Sequence, residues 1–255
     1  MTLIITHLSK YGIVHASDSN LTDNSGAAGE GQKTYRLPHI NAGMTLAGSY
    51  SVGGQRMDEW LNAFIQAHAT SDSPSLSTFA HNIKCRLETE MLPGEKNSGC
   101  IMHIAGYVEA NNQSHPEFYS VRNVHGIDSA TGAYKGCRQD FACVEEFWAI
   151  DGPRGDLLCA FERGTYQIYI NGSAHGRMSY LAINNWLQQI FTVLWEQPGW
   201  GFRRPESLEE TMVFVKTNLL VINALFKASN YSGPPIGGPI QIYGIPRPAN
   251  TVTDF

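Results

Sequence analysis

The order in which hydrophobic periodicity changes along this chain restricts its fold more than any other feature. Strand-like runs come first, at Leu3–Leu8, Ile13–Ala16, Lys33–Leu37 and Met44–Ala47. The spacing then turns helical. Met57, Trp60, Leu61, Phe64 and Ile65 fall on one face, and a second helical run extends from a candidate N-cap, Ser75, to about Met91. Strands resume at Cys100–Val108, Glu117–Val121 and Thr165–Ile170. Two long helical patterns follow, about Met178–Trp195 and Ser207–Lys227, before a last strand at Ile240–Ile245. A sheet has an apolar face to cover and an amphipathic helix has a stripe, so helix pairs between strand blocks predict a layered α+β fold. The expected architecture is a four-layer αββα sandwich: two stacked antiparallel sheets flanked by helix pairs. With no internal repeat and no linker, residues 1–255 read as a single domain.

The connections are less regular. Ser19–Gln32 is polar and glycine-rich and reads as a loop, Pro38–Gly43 as a turn, Ser71–Pro74 as a break, and Gln197–Pro205 as an interhelical loop. Gly126–Phe161 shows no clear period beyond two short strand-like runs, Phe147–Ile150 and Leu157–Phe161.

Composition narrows the function classes. Apolar residues make up 42% and charged residues 16%, enough to bury a core and too apolar for long disorder. The low charge also fits surface buried in an oligomer. A net charge of −5 with no run of Lys or Arg argues against nucleic acid or an anionic membrane as partner. No apolar stretch is read as reaching the roughly 20 residues of a membrane helix, and the start lacks signal-peptide features, so a cytoplasmic location is expected. The five cysteines (Cys85, Cys100, Cys137, Cys143 and Cys159) are odd in number and lack C-x-x-C spacing, which predicts free thiols. The nine histidines are scattered without H-x-x-x-H, so no metal or other cofactor is expected.

The opening stretch, MTLIITHLSKYGIVHASDSNLTD, carries the chemistry. Two strand-like runs meet across Ser9-Lys10-Tyr11-Gly12, and Thr2 stands directly behind Met1. A small residue such as Thr permits removal of Met1, which leaves a hydroxyl and a free α-amine on one residue. That pair is a nucleophile with its own base, because an α-amine with a pKa of about 7.7–8.0 titrates near neutral pH. A nearby lysine lowers the pKa of both amine and hydroxyl. Lys33 is the candidate, and Asp18 can hold it charged and oriented.

This constellation resembles the start of mature proteasome β-type subunits, a family that includes the bacterial two-ring peptidase HslV. Thr2, Gly12 and Asp18-Ser19 stand at the family's spacing. Lys33-Thr34-Tyr35-Arg36-Leu37 matches its K-x-x-x-L strand after a loop one residue shorter, and Ala47-Gly48 matches its Ala-Gly after one extra residue. The resemblance implies an N-terminal nucleophile hydrolase fold, with Thr2 as nucleophile and base and Asp18 and Lys33 as the supporting pair. It makes the Gly48 N–H the oxyanion donor. Thr22 would bind substrate backbone in strand fashion, and Leu21, Tyr35, Leu46 and Tyr50 would line an apolar or aromatic-tolerant pocket. Ser173, after Asn171-Gly172, and Ser232, before Gly233, would complete the site, Ser173 by hydrogen bonding to the terminal amine. One position departs from the family: Ser229, followed by Asn230, occupies the place of an acidic residue that orients the amine, which implies slower catalysis. Pro234–Gly238 reads as an insertion.

The same resemblance implies identical subunits in stacked rings, two of seven rather than two of six, acting on unfolded peptides with an ATP-dependent unfoldase as partner. Two other readings stay open. One is an amidohydrolase acting on a small amide, which a sealed pocket would favour over an open strand-binding groove. The other is a non-catalytic ring scaffold, which retention of Met1 would favour, since an acylated amine is no base.

Overall fold

All seven residues of β1 (Leu3–Ser9) and all six of β2 (Gly12–Ser17) are buried, as expected of strands covered on both faces. The computed structural model describes residues 2–23, 26–70, 74–126, 136–147, 166–195, 203–229 and 236–251. β1 and β2 form an antiparallel hairpin in which Ile4 faces Ser17 and Ser9 faces Gly12. β12 (Tyr166–Gly172) pairs with the other edge of β1 and β13 (Gln241–Pro246) with that of β2, giving the order β12-β1-β2-β13. A second antiparallel sheet has the order β11-β10-β9-β6-β5. Its strands are β5 (Thr34–Leu37), β6 (Ala42–Gly48), β9 (Cys100–Ala110), β10 (Gln113–Val124) and β11 (Cys137–Phe147), while β7 (Ser51–Val52) and β8 (Gln55–Arg56) form a separate two-residue ladder. The architecture is thus α+β, with antiparallel pairing throughout both sheets.

Side-chain alternation sorts the core. Leu3 and Ile5 of β1 pack with Tyr180 of α4 (Ala174–Trp195) and with Val215, Leu219 and Ile222 of α5 (Leu208–Ala228). Met44 and Leu46 of β6 pack with Leu61 of α1 (Met57–Ala69) and with Phe79 and Ile83 of α2 (Leu76–Glu90). The opposite faces of the two sheets meet each other. Ile4 packs with Ala47, Ile101 and Val124, while Leu8 and Ile13 pack with Ala105, Tyr107 and Phe118. Ser75 caps α2 as the sequence suggests, accepting the Thr78 N–H at 3.0 Å, and Ser207 caps α5, accepting the Glu210 N–H at 3.1 Å.

Several boundaries differ from expectation. Ser19–Gln32 holds a hairpin, β3 (Asn20–Asp23) and β4 (Gly26–Glu30), paired Asn20 to Glu30. Among the described residues its strands pair only with each other, so no larger sheet imposes an apolar alternation on their sequence. β9 and β10 run longer because Asn111 and Asn112 adopt φ of 54° and 63°, the left-handed pair that closes a two-residue hairpin. α4 starts at Ala174 instead of Met178 because the Ser173 hydroxyl accepts the Gly176 N–H at 3.1 Å, capping the helix there. A short helix, α3 (Pro93–Asn97), and strand β11 were not read from pattern. Ile150, Leu157–Phe161 and Cys159 lie outside the described residues. The other four cysteines are free. Contrary to the reading that no stretch suffices, α5 is long and apolar enough to cross a membrane (mean hydropathy 1.3), although its buried face packs on β1 and β2.

Candidate active site

Four chain segments meet at one end of the layer between the sheets. Thr2 precedes β1, Asp18 follows β2, Lys33 precedes β5, and Gly48 ends β6. The hairpin register puts Asp18 beside the start of β1, where its Oδ1 accepts the Leu3 N–H at 2.8 Å and its own N–H donates to the Leu3 carbonyl at 3.3 Å. On the other side of β1, the Ser173 N–H donates to the Thr2 carbonyl at 2.8 Å. Gly172 makes this approach feasible: it has φ of +121°, and a Cβ there would lie 2.0 Å from the Thr2 oxygen. The main chain on the C-terminal side of Thr2 is therefore held from both flanks.

Lys33 crosses from the second sheet to Thr2. Its Nζ donates to Thr2 Oγ1 at 2.9 Å, to Asp18 Oδ2 at 3.5 Å, and to the Asn20 carbonyl. Three N–H groups of an ammonium thus meet three acceptors. The match matters because the Lys33 and Asp18 side chains are only 1% and 0% exposed, and each buried ion costs several kcal/mol unless paired and hydrogen-bonded. Burial pushes the Lys33 ammonium down from its usual pKa, opposed by the Asp18 charge. Burial pushes the Asp18 carboxyl up, opposed first by Lys33 and then by the Leu3 and Gly237 N–H groups. Because Thr2 Oγ1 accepts from Lys33, its own proton points elsewhere. The ammonium also favours the oxygen as alkoxide.

Gly48 is exposed at the end of β6, with φ of +105°, and a Cβ would lie 2.1 Å from the Gly99 carbonyl. Ala47 and Ile4 share one apolar cluster, which places the Gly48 end of β6 opposite the Thr2 end of β1. Ser49 fixes the turn that follows, donating its N–H to Gly99 at 2.6 Å.

The expected pocket residues divide. Tyr35 and Leu46 are enclosed in the cluster under α1 and α2, and half-buried Tyr50 packs against it. The Tyr35 and Tyr50 hydroxyls donate to the same acceptor, the Gln32 carbonyl, at 2.7 and 2.8 Å. Burial pushes both phenols above their usual pKa. Leu21, half-buried, and Thr22 lie on β3, apart from that cluster in sequence and element. A groove of about 590 Å³ runs beside Tyr35 along the β5 and β13 edges, lined also by Thr34, Ile65 and Tyr243. Ser173 serves as the cap of α4 and the main-chain anchor of Thr2. Ser232 and Asn230 lie outside the described residues, and Ser229 ends α5, donating its hydroxyl to the Phe226 carbonyl at 3.2 Å.

The Asn20 carbonyl was not foreseen as the third Lys33 acceptor, since a main-chain oxygen leaves no mark on residue type. Nor was a polar chain deeper in the same layer. There His15 Nε2 lies 3.2 Å from the Ala105 carbonyl, so it carries the proton and donates. His15 Nδ1 then accepts from Thr6 Oγ1 at 3.2 Å, and Thr6 accepts from His103 Nδ1 at 3.1 Å. His103 Nε2 in turn accepts from Asn171 Nδ2 at 2.8 Å. Among the described residues no group of three His, Cys, Asp or Glu is placed to hold a metal ion. No protein-family model matches the chain, and no curated protein matches it.

Proposed function

We propose that this chain is a threonine-type N-terminal nucleophile hydrolase that cleaves peptide bonds, built as a four-layer αββα sandwich. The observation that carries the reading is the 2.9 Å contact from Lys33 Nζ to Thr2 Oγ1, backed by the Asp18 carboxylate. With Met1 removed, the Thr2 α-amine takes the hydroxyl proton as Oγ1 attacks the carbonyl carbon of the substrate. Lys33 stabilises the alkoxide, and the Gly48 N–H donates to the tetrahedral oxyanion. The amine then protonates the leaving nitrogen, which breaks the C–N bond and leaves an ester on Oγ1. Water, deprotonated by the same amine, hydrolyses that ester and restores Thr2. No cofactor enters these steps.

The wider setting belongs to the same proposal: one domain, cytoplasmic, with identical subunits in two stacked rings of seven and an ATP-dependent unfoldase feeding unfolded peptides. A second reading, hydrolysis of a small amide, is favoured by the enclosure of Tyr35 and Leu46. Parallel assays of unfolded polypeptide and short acyl amides separate the two.

The test of the reading itself is intact mass before and after incubation with an electrophilic β-lactone. The expected result is a mass lacking Met1 and one adduct that disappears in Thr2→Ala. Retained Met1 in protein from its native source, or an adduct that survives in Thr2→Ala, overturns it.

A further inference from the structure

Lys33 acts from the margin of its sheet, and an edge is where backbone is least restrained. β5 is the terminal strand of the second sheet. On its inner side the Lys33 carbonyl accepts the Leu46 N–H at 3.0 Å. On the outer side, where a neighbouring strand would stand, two side chains meet the main chain: Gln32 Nε2 donates to the Thr34 carbonyl at 3.3 Å, and Gln241 reaches in from the other sheet. Its Oε1 accepts the N–H of Lys33 at 2.7 Å and that of Thr34 at 3.0 Å, and its Nε2 donates to the Gly31 carbonyl at 2.8 Å.

A carboxamide has the donors and acceptor of a peptide group, so Gln241 substitutes for a missing strand over three residues. It does so from the first residue of β13, which belongs to the other sheet and is paired with Ser17, the neighbour of Asp18. A second tie joins the same positions, the Ser17 and Thr34 hydroxyls at 2.8 Å. The strand that leads to the carboxylate and the segment that carries the ammonium are thereby fastened to one another where the Lys33 side chain departs.

We infer that Gln241 is a positioning residue: it fixes the main chain of Lys33 so that Nζ reaches Thr2 Oγ1. The inference rests on the reading of Thr2 as nucleophile. Gln241 touches neither Thr2 nor the bond to be cleaved, and it acts through Lys33. Displacement of a catalytic group by about 1 Å costs up to about 10²-fold in rate, so loss of the clamp lowers turnover while substrate affinity stays. As the ammonium recedes from the Thr2 amine, the pKa of that amine rises, and the acid limb of the pH–rate profile moves to higher pH.

The experiment compares the full-length wild type with Gln241→Met, similar in length but without the hydrogen bonds, and Gln241→Glu, similar in shape but repelling the Gly31 carbonyl. Gln139→Met, at an exposed glutamine on β11 whose Nε2 donates to Asn97 Oδ1 at 2.9 Å, is the control. The readouts are the rate of β-lactone adduct formation at Thr2, kcat and KM on a peptide, the acid limb, and hydrogen exchange of the Lys33 and Thr34 amides. In either Gln241 variant the expected result is a fall of about 10-fold to 10²-fold in adduct rate and kcat, with KM near wild type. The acid limb shifts upward and both amides exchange faster, while Gln139→Met matches wild type. Faster exchange with an unchanged adduct rate and acid limb overturns the role of Gln241 and leaves it an edge closure. If Gln241→Met does not fold, the same criteria apply to Gln241→Glu. Absence of any Thr2 adduct in the wild type overturns the nucleophile reading, a failure distinct from that of the clamp.

Discussion

Two polar clusters share the layer between the sheets, and only one of them pairs opposite charges. At its open end Lys33 and Asp18 are ionisable partners of opposite sign, with acceptors for every ammonium proton. Deeper in the same layer, Thr6, His15, His103 and Asn171 form a chain in which each imidazole is neutral and each hydrogen bond has one direction. Burial pushes His15 down to about 4 and His103 down to about 3, the latter helped by neighbouring His15 and Arg122. A proton added at His15 Nδ1 would face the Thr6 hydroxyl, which already donates there. One cluster sets a counter-charge against the pull of burial, and the other offers its imidazoles none. Burial pushes all four groups toward their neutral forms, and only for Lys33 and Asp18 does a counter-charge oppose it.

Acid breaks the contrast most severely. The folded-state pKa of each of these histidines lies below its ordinary value of 6.5. The unfolded chain therefore binds more protons below that pH, and stability rises with pH through the window. It is fully present above about pH 6.5 and is lost as pH falls toward 4, by about 3 kcal/mol for each such histidine. His7, also fully buried with its pKa down to about 4, adds loss of the same sign. Urea unfolding from pH 7 to pH 4.5 should show a steep fall, and a level profile would remove the distinction between the clusters.

Next in size is Lys33→Met, which leaves Asp18 as an unpaired buried charge and should cost about 3–5 kcal/mol at neutral pH. The Thr2 acylation rate should fall by at least about 10²-fold. Adding Asp18→Asn sharpens the test, since stability should partly return while acylation does not. Denaturant titration and adduct kinetics on the same preparations check both halves.

The smallest effect is expected at Thr6→Val, which keeps the shape but leaves two imidazole nitrogens without their shared hydroxyl. A loss of about 1–3 kcal/mol should follow, with the acylation rate unchanged. A large drop in acylation would mean that the neutral chain also positions Thr2 and Lys33.

The clusters differ equally in how far residue order reveals them. Thr2, Asp18 and Lys33 were legible because each marks a strand boundary, and boundaries show in periodicity. Lys33 stands one residue before β5 and Asp18 one residue after β2, and Ser75 caps α2. His15 and His103 are 88 residues apart and meet only because β2 and β9 belong to facing sheets, so they read as scattered. Gln241 is similar: separated by 208 residues from Lys33, it looks like the polar start of a strand. β3 and β4 were hidden for another reason, since a hairpin that pairs only with itself needs no apolar alternation.

Sequence by itself determined the alternation of strands and helix pairs, the hairpin that carries Thr2, and the residue types able to do acid–base work there. Those follow from local periodicity and from the chemistry of single side chains. Only the tertiary structure decided which of those side chains have partners: that Lys33 has three acceptors, that Gln241 closes its edge, and that His15 and His103 are held neutral. Hydrogen bonding and desolvation depend on what the facing sheet presents across a few ångströms, and linear order does not encode that distance.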